Sequence, residues 1–300
     1  MRLHLEHERV LTFNDGSPVR HASALAPLGS GWLVVQDDAT SAAWLVDGRV
    51  QLLQVLPGMD RPADGASAQI GAACGLPLGD GPGALLLGSG SSSGQRRGGL
   101  VHTGAEPAVE VGELGGLYDA VARALELPEA TLDLQGIARN GGVLRWFQRG
   151  IGAQLPNSSV DVDMAGLVEA LRGRGNPADV ELRSVRRYDL GEVGGVALGA
   201  TDAVALPGGR VLLSAVAEVT PNAQHGGPLA GAVLALLDGD SVIDVAELPR
   251  VSGAVRKLEG LGVLELLPDG ARLLAIVDAV DPLAASLALT LRACWDRASS

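Results

Sequence analysis

Gln135, Asp202 and Glu259 have the types and spacing to do chemistry together. Each is the second residue of a short recurring segment: Leu134-Gln135-Gly136, Thr201-Asp202-Ala203 and Leu258-Glu259-Gly260. Further copies begin Ala22-Ser23-Ala24 and Ile70-Gly71-Ala72. A second polar set, Asp37, Asp38, Gln148, Arg149, Glu218 and Asp278, ends hydrophobic runs that follow these segments. Carboxylates gathered from such positions would suit a hard cation such as Ca²⁺. They would equally serve as general acid and base if crowding separated their pKa values. Taken singly, each is also explained as the polar end of a strand, or as an acceptor for backbone N–H groups of a neighbouring strand.

Two cations adjoin these acids. Lys257 lies two residues before Glu259, hence on the same side of a strand, and is expected to pair with it and keep it ionised. Arg149 would pair with acids, or grip an anionic ligand with two parallel hydrogen bonds. Residues 214–232 leave an apolar run for a polar loop holding Glu218, Thr220, Asn222, Gln224 and His225, and a long loop at a strand exit is where binding residues gather. His225 is read either as a proton shuttle or as an exposed bystander.

Other motifs are weaker. Gly90-Ser91-Ser92-Ser93-Gly94 fits the G-x-S-x-G pattern of a nucleophile elbow, but residues 95–101 read as turn and strand, not the helix that such an elbow needs. Two cysteines, Cys74 and Cys294, are too few for a multi-cysteine zinc site and are read as buried thiols. The formal charge of −12, from 35 acids and 23 bases, argues against a nucleic-acid groove, which needs a concentrated basic surface. No apolar stretch approaches the ~20 residues that cross a bilayer. The charged, alternating first residues do not resemble an export signal, so a cytoplasmic protein with no membrane partner is expected.

Something must bring these residues together, and the repetition supplies it. Start-to-start spacings from Ser23 through Gly71, Gln135 and Asp202 to Glu259 are 48, 64, 67 and 57. Units this long and irregular fit the blades of a β-propeller better than a solenoid, because insertions fall in loops while inner strands stay alike. Ala24, Ala72, Gly136, Ala203 and Gly260 then lie on crowded innermost strands. The apolar runs at 32–38, 84–89, 143–149, 210–218 and 271–278 become second strands buried on both faces. The expected fold is all-β: one domain over residues 1–300, a propeller of five four-stranded blades, with the N-terminal strand closing the last. A degenerate sixth blade within 105–115 or 180–190 is the alternative. Residues 117–127 and 164–172 have helical spacing and are expected as short helices covering a rim.

Several of these stretches, in this order, resemble a bacterial family of unknown function similar to phytase-like and esterase-like β-propellers. They are Ser89-Gly90-Ser91 with Arg96-Arg97, Leu134-Gln135-Gly136-Ile137, Gln148-Arg149-Gly150, Thr201-Asp202-Ala203, 214–232, Lys257-Leu258-Glu259-Gly260-Leu261 and 278–282. In a propeller the ends of the innermost strands and the adjoining loops face a common channel mouth, and a polar site is expected there. Glu259, Asp202, Glu218 and His225 are the catalytic candidates. Arg149, Gln148, Lys257, Asn222, Gln135 and Arg97 would bind substrate, and Asp38, Asp278 and Glu259 would hold a metal, Ca²⁺ being the expected ion. The family pattern favours Glu where this chain has Gln135, which removes one charge from any metal site. The expected partner is a small molecule or short peptide. The expected function is binding, with a Ca²⁺-dependent ester or phosphoester hydrolase as the alternative.

Overall fold

The computed structural model describes residues 1–37, 40–55, 70–79, 81–103, 108–150, 155–219, 227–278 and 283–295. Five antiparallel sheets follow one another along the chain. Blade 1 is built from Ala22–Leu28, Gly31–Gln36, Ser41–Val46 and Arg49–Gln54. Blade 2 comprises Ile70–Leu78, Gly81–Gly88, Arg97–His102 and Ala108–Glu113. Blade 3 comprises Leu134–Asn140, Val143–Gln148, Asn157–Asp163 and Leu182–Tyr188. Blade 4 comprises Val196–Ala205, Val211–Glu218, Leu229–Asp238 and Ser241–Glu247, with the two-residue strand Glu192–Val193 paired to its first strand. Blade 5 takes Leu258–Leu267, Gly270–Val277 and Leu287–Cys294 from one end of the sequence and Arg2–Val10 from the other. The fold is a five-bladed β-propeller. The segments that offered a sixth blade are the outer strands of blades 2 and 3.

Closure of the ring can be followed contact by contact along the innermost strands. A Cβ on Gly75 of blade 2 would meet Pro27 of blade 1 at 2.6 Å, and one on Gly71 would meet the Leu134 carbonyl of blade 3 at 2.6 Å. One on Gly136 would lie 2.6 Å from the Asp202 Cα of blade 4, and one on Gly260 of blade 5 would lie 2.6 Å from the Leu25 Cβ of blade 1. Leu261 of blade 5 donates its N–H to Asp202 of blade 4 at 2.6 Å. Small residues recur here because backbones converge on the axis and leave no room for bulk.

Among the described residues the apolar core forms five clusters, one between each pair of adjacent blades. Second strands feed two clusters at once. Leu86 packs toward blade 1 while Leu85 and Leu87 pack toward blade 3. That explains their unbroken apolar sequence, each such leucine contributing about 2 kcal/mol on burial.

The blade 2–blade 3 cluster also takes in two helices, α1 (Gly115–Leu125) and α2 (Met164–Leu171). These are core elements and not rim covers. α1 buries Leu117, Tyr118, Val121, Ala122 and Leu125. The Tyr118 ring meets Trp146 edge-on at 5.1 Å, and its hydroxyl donates to the Gly88 carbonyl at 2.7 Å. α2 is capped by Asp163, whose carboxylate accepts the Gly166 N–H at 2.8 Å. Cys74 lies in the same cluster, and burial pushes its thiol up to about 12. Both cysteines are free. Among the described residues no helix is long and apolar enough to cross a membrane.

Candidate functional site

Every innermost strand is bulged, near its start in blades 1, 2, 3 and 5 and midway along in blade 4. The pairing skips between Ala22 and Ala24, Ile70 and Ala72, Leu134 and Ile137, Ala200 and Asp202, and Leu258 and Gly260. A bulge leaves an extra residue outside the ladder and re-aims its side chain. The bulged residues are therefore Ser23, Gly71, Gln135 with Gly136, Thr201, and Glu259. The structure corrects the alignment of the copies by one residue in blade 4. Thr201, not Asp202, is the equivalent of Gln135 and Glu259, and Asp202 occupies the small-residue position of Ala24, Ala72 and Gly260.

Two more tiers of residues flank the bulges. Immediately before the inner strands of blades 1, 3 and 5 stand His21, Asp133 and Lys257, and Gly199 holds the corresponding position inside the longer inner strand of blade 4, counted back from the paired residues Ala22, Leu134, Leu258 and Ala200. At the exits of the second strands stand Asp37, Ser89, Arg149 and Asp278, one residue beyond Gln36, Gly88, Gln148 and Val277. Backbone bonds tie these tiers together within a blade. The Asp37 N–H donates to the His21 carbonyl at 2.7 Å, and the Arg149 N–H donates to the Asp133 carbonyl at 2.9 Å.

Blade 4 departs from this plan to accept a neighbour. Its inner hairpin continues past the bulge, pairing Gly199 with Val216 and Leu198 with Ala217. A Cβ on Gly199 would come within 3.1 Å of Cγ of Arg149, so glycine is what lets the arginine of blade 3 lie across blade 4. There the Arg149 guanidinium forms an ion pair with Glu218, both side chains 8% exposed. Glu218 also accepts the Gly227 N–H at 2.8 Å.

Blade 5 supplies the second pair. Lys257 Nζ lies 2.8 Å from Glu259 Oε1, as the spacing of the two residues predicts. Gln135 and Asp133 make the same contact in blade 3, Nε2 donating to Oδ1 at 2.6 Å. Asp278 accepts the Ser286 hydroxyl at 2.8 Å, and His21 Nδ1 of blade 1 stands 3.8 Å from its other oxygen.

These groups form one electrostatic unit. Burial alone would lower the pKa of Arg149, but Asp133, Glu218 and Glu259 together raise it. Burial works to raise that of Glu218, yet the Gly227 N–H, the Lys257 charge and Arg149 bring it below the ordinary value. Burial raises Glu259 against the opposing pull of Lys257 and Arg149, and Asp278 adds to the rise. Burial likewise holds Asp202 well above its ordinary value, its two backbone N–H bonds pulling the other way and Glu259 adding to the rise.

The structure thus brings together Arg149, Glu218, Lys257, Glu259 and Asp278, with Gln135 beside them and Asp202 directly behind. Gln148 is fully buried as a tie: Oε1 accepts the Asp133 N–H at 3.0 Å, and Nε2 donates to the Arg149 carbonyl at 2.9 Å. Arg97 opens the third strand of blade 2, and its backbone carbonyl accepts the Tyr118 hydroxyl at 3.4 Å. No contact among the described residues joins it to the cluster. Asp38, Asn222 and His225 lie outside the described residues. Among the described residues there is no group of three His, Cys, Asp or Glu side chains placed to hold a metal ion. The G-x-S-x-G serines fold into a turn closed on Gln95, whose Oε1 accepts the Ser92 N–H at 3.1 Å, and form no elbow.

Sequence reasoning missed Asp133 and Gly199. Asp133 is 6% exposed, and its second carboxylate oxygen is buried without a hydrogen-bond partner among the described residues. It precedes Gln135 by the two-residue interval at which Lys257 precedes Glu259, and that interval is the signal that would have found it. What the arrangement offers chemically is a set of fixed donors and acceptors of both charges, held by three blades.

The model of a family of unknown function, DUF6910, matches residues 70–282. No curated protein matches the chain.

Proposed function

The chain belongs to that family of unknown function, DUF6910, and we propose that it is a binding protein whose ligand is a small, polar, charged molecule. The ligand is held where the inner strands of blades 3, 4 and 5 begin. Arg149 and Lys257 supply the donors, and Glu218, Glu259 and Asp133 the acceptors.

One observation carries this reading: the buried Arg149–Glu218 pair bridges two blades and is coupled to Lys257–Glu259 of a third. Buried ion pairs contribute little net stability, since desolvation offsets their attraction and apolar residues of similar volume do as well. A network of perturbed charges where strand ends converge therefore reads as a site. The unpartnered oxygen of Asp133 beside Arg149 supports it.

The test is a thermal-shift screen of the purified protein against amino acids, dicarboxylic acids, sugar phosphates and short peptides, followed by calorimetry on each compound that stabilises it. Glu259→Gln and Arg149→Ala are each expected to weaken binding at least tenfold, with no turnover of the ligand. A ligand whose affinity survives both substitutions binds elsewhere and overturns the proposed mouth.

A further inference from the structure

We propose that the ligand of the mouth is a small primary amine bearing hydroxyl groups, an amino alcohol or amino sugar, whose ammonium seats on Asp133. The inference rests on the mouth being a binding site, and it names the class of molecule that fits there. It also brings in blade 1, through Ser23.

Charge sets the sign of the ligand. Asp133, Glu218 and Glu259 act on Arg149, Lys257 acts on Glu218 and Glu259, and Asp278 acts on Glu259. Four carboxylates therefore stand with two fixed cations, His21 beside Asp278 being counted as neutral. Two negative charges are left over, which repels an anion and attracts a cation. Lys257 shows what these acids accept, since its own ammonium lies 2.8 Å from Glu259. In blade 3 the position of Lys257 is taken by an acid, and Asp133 meets only the neutral amide of Gln135.

The unpaired groups locate the ammonium. Asp133 is 6% exposed, and its Oδ1 accepts from Gln135 Nε2 at 2.6 Å while Oδ2 is buried with no hydrogen-bond partner among the described residues. Gln135 belongs to the bulge of blade 3, so this contact holds the carboxylate where the inner strands converge. Burial works to lower the pKa of Arg149 and Asp133 is the strongest of the acids that outweigh it, yet among the described residues no hydrogen bond joins the two. A buried carboxylate oxygen without a donor keeps its full desolvation cost, and an ammonium with its three N–H groups offsets that cost best.

Ser23, the bulged residue of blade 1, is in the same condition: its Oγ is buried and has no partner among the described residues. It neighbours Glu259 around the axis, because a Cβ on Gly260 would come within 3.3 Å of the Ala24 carbonyl carbon. Blade 2, between blades 1 and 3, has Gly71 at its bulge and presents no side chain there. A serine hydroxyl both donates and accepts, so it matches a ligand hydroxyl.

The experiment is calorimetric titration of the whole chain with ethanolamine and with glucosamine, glucose and glucuronate, three sugars that differ in charge. Saturable 1:1 binding of at least one amine is expected, with glucose and glucuronate at least tenfold weaker than the amine that binds. Asp133→Asn keeps the shape and removes the charge, and should weaken amine binding tenfold or more. Ser23→Ala deletes one neutral hydrogen bond and should weaken it about threefold. Ser23→Ala decides alone if Asp133→Asn does not fold. No saturable binding of either amine, or amine binding unchanged in these variants, overturns the proposal, and so does binding of calcium chloride in place of the amines. Glucuronate bound more tightly than glucosamine and weakened by Arg149→Ala overturns the amine while the mouth stands as a binding site.

Discussion

Asp202 of blade 4 accepts the backbone N–H of Leu261 in blade 5 at 2.6 Å, while its other oxygen accepts the N–H of Ala203 at 2.8 Å. Ala24, Ala72 and Gly260 occupy this position in other blades, where a bulge and its neighbour simply pack. Here a carboxylate stitches two blades at the axis. It is a joint between blades, 2% exposed and within the field of Glu259.

Asp202→Asn is therefore expected to destabilise the protein although it is isosteric, because its amide must turn an N–H toward one of two backbone donors. The cost is about 2 kcal/mol in mild acid. Burial raises the folded pKa above 3.8, so the native state keeps a proton that the unfolded chain releases. The stability from this group is fully present below about pH 4 and declines as pH rises through the folded value. Urea denaturation from pH 4 to pH 7 should show the gap between wild type and variant narrowing as pH rises.

Glu218→Gln should show the opposite trend. The folded pKa of Glu218 lies below 4.5, so its contribution is fully present above that pH and disappears as pH falls through the lowered value. Near pH 7 the variant leaves Arg149 buried beside one fewer acid, a loss of about 3 kcal/mol. A denaturation series carried from pH 7 down to about pH 2 should show this gap closing in acid. A gap independent of pH would mean that the ion pair contributes nothing to folding.

Two glycines of blade 3 separate close approach from simple backbone preference. Gly136 has φ +74° and no room for a Cβ, whereas Gly141 has φ +60° and nothing within 4 Å. Gly141→Ala should cost about 1 kcal/mol, the price of the left-handed conformation alone. Gly136→Ala should cost a further 2 kcal/mol or more, since overpacking pushes blade 3 from blade 4. Melting temperatures of the two variants compare the effects directly, and equal losses would argue against tight contact at the axis.

How legible was all this in the sequence? The five blades were, because the small residues at 24, 72, 136 and 260 and the apolar second strands repeat for one physical reason each: convergence at the axis and burial on both faces. The Lys257–Glu259 contact was anticipated from the two-residue interval, although the bulge at Glu259 interrupts the regular alternation of the strand. The bulge did not. It adds a residue without altering the apolar pattern, so Thr201-Asp202 slid by one position against Gln135 and Glu259, and Asp202 was aligned with residues that stand one place earlier. Asp133 was hidden because it lies before its strand begins. Gly199 was hidden because its significance is a neighbour's side chain, and Arg149 is fifty residues away in the sequence. The helices were legible as helices. Their burial was not, since a helix filling an opening between sheets has the same periodicity as one lying on a surface.

The pairing of Arg2–Val10 with Leu287–Cys294 also bears on how the molecule is made. The strand that zips blade 5 leaves the ribosome before the rest of the propeller, and its partner emerges almost three hundred residues later. Throughout synthesis four blades accumulate beside an unsealed seam, and the last long-range pairing must wait for translation to deliver residue 294. High sequence separation of this kind slows folding and prolongs exposure of unpaired strand edges. This propeller should therefore acquire its resistance to proteases in a single late step, not blade by blade.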